Sequence, residues 1–120
     1  MIFEPGKISL VQFPRSDLKK GKNRPVLLLS QLPGAFDDWL ICAITSQLKH
    51  EVAGWDEKVS VADDDYDQTG LKQESLIRTG KLATVEESIL QGVLGEISAQ
   101  RLEKILTRLS KHLGNDTTNT

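Results

Sequence analysis

Arg24, Thr45 and Ser46 are the side chains of this sequence whose types and neighbours suit phosphate chemistry. Arg24 closes a basic loop and is followed by Pro25 and the apolar run Val26-Leu27-Leu28-Leu29. Proline fixes its own φ near about −65° and biases the preceding residue toward extended geometry, so Arg24 is expected at a fixed loop-to-strand junction. Such a guanidinium can hold a phosphate; the competing reading is a hairpin turn that its lysines and arginine merely solvate. Thr45 and Ser46 end a second apolar run, Trp39 to Ile44. Alternation along a strand puts Thr45 with Ile41 and Ala43 on one face, and Ser46 with Cys42 and Ile44 on the other. An ordinary polar strand end would look the same.

Charge is distributed unevenly around these residues. The 120-residue chain carries a formal charge of −2, and its pI is near 5.7, so an anionic partner needs a local patch. Arg15, Lys19, Lys20, Lys22 and Arg24 supply one, against Asp17 alone. The balance inverts between Asp56 and Asp67. The acidic run Asp63-Asp64-Asp65-Tyr66-Asp67 is expected to repel itself and stay solvated, and it lacks the ligand spacing and glycine of a calcium loop.

Several chemistries are excluded. Cys42 is the single cysteine, set among apolar neighbours, which argues for a core thiol and against a disulfide or thiolate cluster. His50 and His112 have no partners at metal spacing, and no glycine-rich phosphate loop or Gly-x-Ser-x-Gly elbow is present. What remains is Arg, Lys, Thr and Ser around a phosphate. That set suits metal-free and cofactor-free phosphoryl chemistry on RNA, where the 2′-hydroxyl is the nucleophile. The absence of a long apolar run and of a signal-like start implies a soluble protein of the reducing cytoplasm, with no membrane partner.

The elements that must position these groups are short. Lys7 to Phe13 reads as a first strand ended by Pro14, Pro25 to Gln31 as a second, and Trp39 to Ser46 as a third. The second and third are apolar on both faces and so belong in a barrel or sandwich interior. Lys49 to Gly54 reads as loop, Lys58 to Val61 as a short strand, and Ser75–Arg78 and Lys81–Val85 as two strands around Thr79-Gly80. From Ser98, a plausible N-cap, Ala99, Leu102, Ile105, Leu106, Leu109 and Leu113 recur at helical spacing up to Gly114. The expectation is a mainly β domain over residues 1–114, a small antiparallel barrel with its C-terminal helix at one end, followed by a polar tail over 115–120.

The order of motifs resembles the MazF/PemK/Kid family of type II toxins. It is carried by Gly6-Lys7-Ile8, Gly21-x-x-Arg24-Pro25-Val26-Leu27-Leu28-Leu29-Ser30 and Cys42-Ala43-Ile44-Thr45-Ser46-Gln47, then by Gly70 to Arg78 and Lys81 to Val85 before the helix. The likeness runs from Gly6 to Leu113. It implies an SH3-like barrel shared with CcdB, a homodimer, and endoribonuclease cleavage of single-stranded RNA to 2′,3′-cyclic phosphate and 5′-hydroxyl ends. It also implies a cognate antitoxin whose acidic segment fills the RNA groove. By position, Arg24 polarises the scissile phosphate, Thr45 hydrogen-bonds it and Ser46 supports them; Arg15, Lys19, Lys20, Lys22 and Arg78 are the expected RNA-binding residues.

The departures concern acids. Where the Kid-like branch has Arg-x-Asp, this chain has Arg78-Thr79-Gly80, and the first loop carries lysines where several relatives carry Glu. The general base is left open among Arg24, His50 and Asp17. Two alternatives follow: a catalytically weak or inactive member that binds RNA or antitoxin, and a CcdB-like gyrase poison. The ending Asn115 to Thr120 differs from the CcdB-type C-terminus. Trp39 and Trp55 are candidate base-stacking residues.

Overall fold

The computed structural model describes residues 2–12 and 22–114. Its strands are β1 (Lys7–Gln12), β2 (Asn23–Gln31), β3 (Asp38–Thr45), β4 (Glu57–Val59), β5 (Ser75–Glu86) and β6 (Val93–Glu96), with helices α1 (Tyr66–Thr69) and α2 (Ala99–Gly114). They form one antiparallel sheet in the order β4-β5-β3-β2-β1-β6, curled into a half-barrel against the C-terminal helix. The fold is the mainly β one expected. No helix among the described residues is long and apolar enough to cross a membrane.

The double-sided strands are explained by cover on both faces. Leu27 and Leu29 of β2 join Cys42 and Ile44 of β3 in a core capped by Ile105 and Leu109 of α2. Val26 and Leu28 point the other way, into a second core with Trp39, Ile41 and Leu90. Full burial of a side chain such as Ile105 contributes roughly 1.5 to 3 kcal/mol. Burial also pushes the Cys42 thiol up to about 12, aided by the negative charge of Asp56.

Helix α2 starts as its sequence indicates, with Ser98 Oγ accepting from Arg101 N at 3.1 Å. Its apolar stripe is shorter than expected. Leu102, Ile105, Leu106 and Leu109 pack on the sheet, whereas Ala99 is exposed and Leu113 is 76% exposed.

The acidic run is not a solvated loop. Arg101 gathers it: its Nε and Nη2 donate to both oxygens of Asp65 at 2.8 Å, and Nη2 also reaches Asp63 at 2.9 Å. Its Nη1 donates to Glu57 at 3.0 Å, and Lys104 and Arg108 reach that same carboxylate at 3.2 and 2.9 Å. The cations of α2 overcome the mutual repulsion of the acids and bury Asp65 and Glu57. Asp64 is left exposed.

Several elements also differ from expectation. Residues 75–86 form one strand, not two, because a bulge absorbs Thr79, Gly80 and Lys81: Cys42 lies opposite Leu82, and Ala43 opposite Arg78. The short strand starts at Glu57 and ends at Val59, and Leu48–His50 make a 3₁₀ turn inside the stretch read as loop. Strand β6 is unanticipated; it closes the sheet beside β1, with Lys7 opposite Glu96. Phe13, which the first strand was expected to include, lies outside the described residues.

Candidate functional site

Strand β2 begins and β3 ends at the same margin of the sheet. Their register places Val26 opposite Ala43. Continued by one more pleat, that antiparallel register would set Arg24 opposite Thr45. Arg24 is the second residue of β2, opposite Val11 of β1, and its side chain is exposed. Pro25 is tolerated because it opens the strand near its end.

Arg24, Thr45 and Ser46 line one cleft of about 410 Å³, together with Lys22. Ile44 and Leu71 give it an apolar floor, and Leu10 and Leu94 contribute from β1 and β6. A second wall, which the sequence reading did not assign to the site, comes from the segment after α1 and contains Lys72, Gln73 and Ser75. No carboxylate and no imidazole is found among the described lining residues.

The hydroxyl of Thr45 is oriented. Its Oγ1 accepts from Gln47 N at 3.1 Å, which leaves the Thr45 O–H to donate to an anion in the cleft. Arg24 has no partner for its guanidinium among the described residues and can offer its forked donors to the same anion. Ser46 is exposed at the rim.

Two other expected residues, Arg78 and His50, are described and lie outside the cleft. Arg78 does not line the cleft; its Nε lies 3.2 Å from Oδ2 of buried Asp56, an ion pair whose angle falls outside hydrogen-bond geometry. Asp56 is itself fixed by Val52 N at 2.9 Å and Thr79 N at 3.3 Å. Arg15, Lys19 and Lys20, like Asp17, lie outside the described residues. His50 is exposed and is not part of the cleft.

The tryptophans are packed. Trp39 is 1% exposed and donates to Glu87 at 3.0 Å, so it presents no face for a base. Trp55 stacks obliquely on His112, with ring centroids 5.1 Å apart. A Cβ at Gly80 would lie 2.8 Å from the Trp55 indole nitrogen, so an Asp at that position would require the indole to move. Gly80 and Trp55 are packed as a pair. The sequence could signal only the missing acid.

A sequence model for the family described as "PemK-like, MazF-like toxin of type II toxin-antitoxin system" matches residues 4–113. No individual curated protein matches the sequence. Among solved structures, the chain is similar to an endoribonuclease in complex with its cognate antitoxin from a mycobacterial species, at 17% identity and a TM-score of 0.67, covering 94% of this chain and 96% of that one. It is also similar to the Mycobacterium tuberculosis toxin MazF-mt6, at 21% identity and a TM-score of 0.63, covering 92% and 99%. A MazE-MazF structure from Deinococcus radiodurans aligns with a TM-score of 0.68 at 19% identity, over 97% of this chain and 100% of that one.

Proposed function

The chain belongs to the PemK-like, MazF-like toxins of type II toxin-antitoxin systems, and from that premise we propose that its cationic cleft binds single-stranded RNA and cleaves it. The observation that carries the reading is the convergence of Arg24, Thr45 and Lys22 on one cleft. In the proposed reaction the RNA 2′-oxygen attacks the adjacent phosphorus while the bond to the 5′-oxygen breaks. A cyclic phosphate and a 5′-hydroxyl result. The guanidinium of Arg24 and the O–H of Thr45 donate to the non-bridging oxygens, where charge accumulates in the transition state. Ser46, at the rim, supports the same phosphate.

Proton transfer needs one group to take the 2′-hydroxyl proton and one to protonate the leaving oxygen. The described lining offers Arg24 for this work but no carboxylate. That observation favours a second reading, in which the cleft binds RNA or an antitoxin segment and cuts slowly or not at all. Loss of a general base lowers rates by roughly 10² to 10⁴. A gyrase-directed activity has no comparable support from the cleft.

Two partners follow from the family reading. A solved relative is described as complexed with its cognate antitoxin, and an acidic antitoxin segment is the natural competitor of RNA for this cleft. A homodimer is the proposed assembly.

The test is incubation of purified protein with mixed single-stranded RNA in EDTA. Cleavage is expected, and Arg24→Ala should lower kcat by about 10² to 10³ while melting within a few degrees of wild type. Cleavage by Arg24→Ala at the wild-type rate would refute the assignment. Tight RNA binding without cleavage would select the second reading.

A further inference from the structure

The second wall of the cleft carries a cation held on an unusually well-braced segment. Helix α1 ends at Gly70, in left-handed geometry with φ 73°. A Cβ on Gly70 would enter the carbonyl of Leu94, and one on Gly95 would enter the carbonyls of Gln68 and Thr69. The paired glycines let α1 and β6 touch backbone to backbone. Thr69 Oγ1 then accepts from Leu71 N at 3.2 Å and donates to Tyr66 O at 2.6 Å, and the Leu71 side chain enters the core.

The other end of the segment is equally fixed. Ser75 is buried, lies opposite Val59 of β4, and donates through Oγ to Gln73 O at 2.9 Å. Lys72 and Gln73 therefore span a short interval between pinned ends and both line the cleft. Lys72 is exposed and has no ion-pair partner among the described residues. The neighbouring carboxylate, Glu74, is turned to Val61 N at 3.3 Å.

We infer that Lys72 is a second phosphate-holding residue, which binds the phosphate next to the scissile one and so sets the path of the RNA strand across the cleft. The inference rests on the proposed RNA reading of the cleft. Its physical basis is that an ammonium on a rigid backbone can neutralise a phosphate without first ordering a loop. Lys72 makes no contact with the reacting bond and is a positioning residue.

Phosphate contacts have a signature in salt. For single strands the logarithm of affinity falls with the logarithm of salt by about 0.7 per contact. The probe is a short fluorescent 2′-O-methyl oligoribonucleotide of randomised sequence, which cannot be cleaved. Its Kd is measured from about 50 to 200 mM KCl for wild type, Lys72→Ala, Lys72→Arg and Arg24→Ala. Lys72→Ala should reduce the slope by about 0.7, so its affinity falls across that range roughly 2.5-fold less than wild type's. Lys72→Arg should keep the wild-type slope. With cleavable RNA, Lys72→Ala should raise KM and leave kcat within about two-fold, the reverse of Arg24→Ala.

A wild-type slope for Lys72→Ala, or weaker binding with an unchanged slope, overturns the inference while the RNA reading stands. Failure of wild type to bind the probe at low salt overturns both. Melting temperatures within a few degrees of wild type exclude misfolding as the source of any change.

Discussion

Replacing Arg101 with Ala tests how α2 is held to the sheet. In the native protein its guanidinium joins Glu57, Asp63, Asp65 and the carbonyl of Lys58. Removing one partner of a buried ion pair destabilises by about 3 to 5 kcal/mol. The lower end applies here, because Glu57 retains Lys104 and Arg108, and the Asp63 side chain is 35% exposed. Asp65 is the group stranded, at 6% exposure. A loss of about 3 kcal/mol is a large share of the roughly 6 to 18 kcal/mol that a chain of this length holds. It should lower Tm by roughly 10 to 20 °C.

The pH profile separates this account from simple loss of packing. Hydrogen bonding to Arg101 holds the Asp65 carboxyl well below its ordinary 3.8, at about 2, against the opposing effect of burial. A depressed folded pKa gives stability that is fully present above pH 3.8 and lost as pH falls through 2. The amount is about 2 kcal/mol. Without Arg101 that acid-side loss disappears, so the gap between the proteins should narrow from about 3 kcal/mol at pH 7 to about 1 at pH 2. Urea denaturation across that range measures it. Parallel pH profiles, or a Tm loss below about 4 °C, would refute the reasoning.

Other outcomes follow from single sites. Gly95→Ala puts a methyl group into the carbonyls of Gln68 and Thr69 and should cost about 2 to 4 kcal/mol by urea denaturation. Gly92→Ala meets open space and should cost only about 1 kcal/mol, for its positive φ of 67°. If the two variants unfold at the same urea concentration, the close approach of α1 and β6 is not what the structure describes. Cys42, fully buried and with its thiol pushed up to about 12, should resist a disulfide reagent at pH 8 in the folded protein and react at once in denaturant. Rapid labelling of the native protein would contradict that burial.

Residues whose meaning is local were readable in the sequence. Leu27 to Leu29 and Ile41 to Ile44 announce strands covered on both sides because every side chain there is apolar. Leu102, Ile105, Leu106 and Leu109 announce a helix by their period. Arg24 and Thr45 end such runs, and adjacent antiparallel strands bring those ends together. What was hidden depends on distant partners. Strand β6 has a glycine before it and one inside it, and its Val93 and Leu94 are each 37% exposed, so no buried face marks it. The fate of Asp65 depends on Arg101, 36 residues away, and that of Arg78 on Asp56 across the β4–β5 pair. Lys72 has no local pattern at all. Its place is set by glycines that pack against another element.

The pairing of β1 with β6 also governs timing. It joins Lys7 to Glu96, 89 residues apart, and the cleft takes Leu10 from one of these strands and Leu94 from the other. A ribosome adding about 5 to 20 residues per second needs roughly 4 to 18 s to synthesise the stretch between them. The early strands must wait through that interval with one flank unpaired, and the cleft cannot be complete until Leu94 has been made. A translation product that stopped short of β6 would therefore carry Arg24 and Thr45 without the Leu94 that completes their cleft.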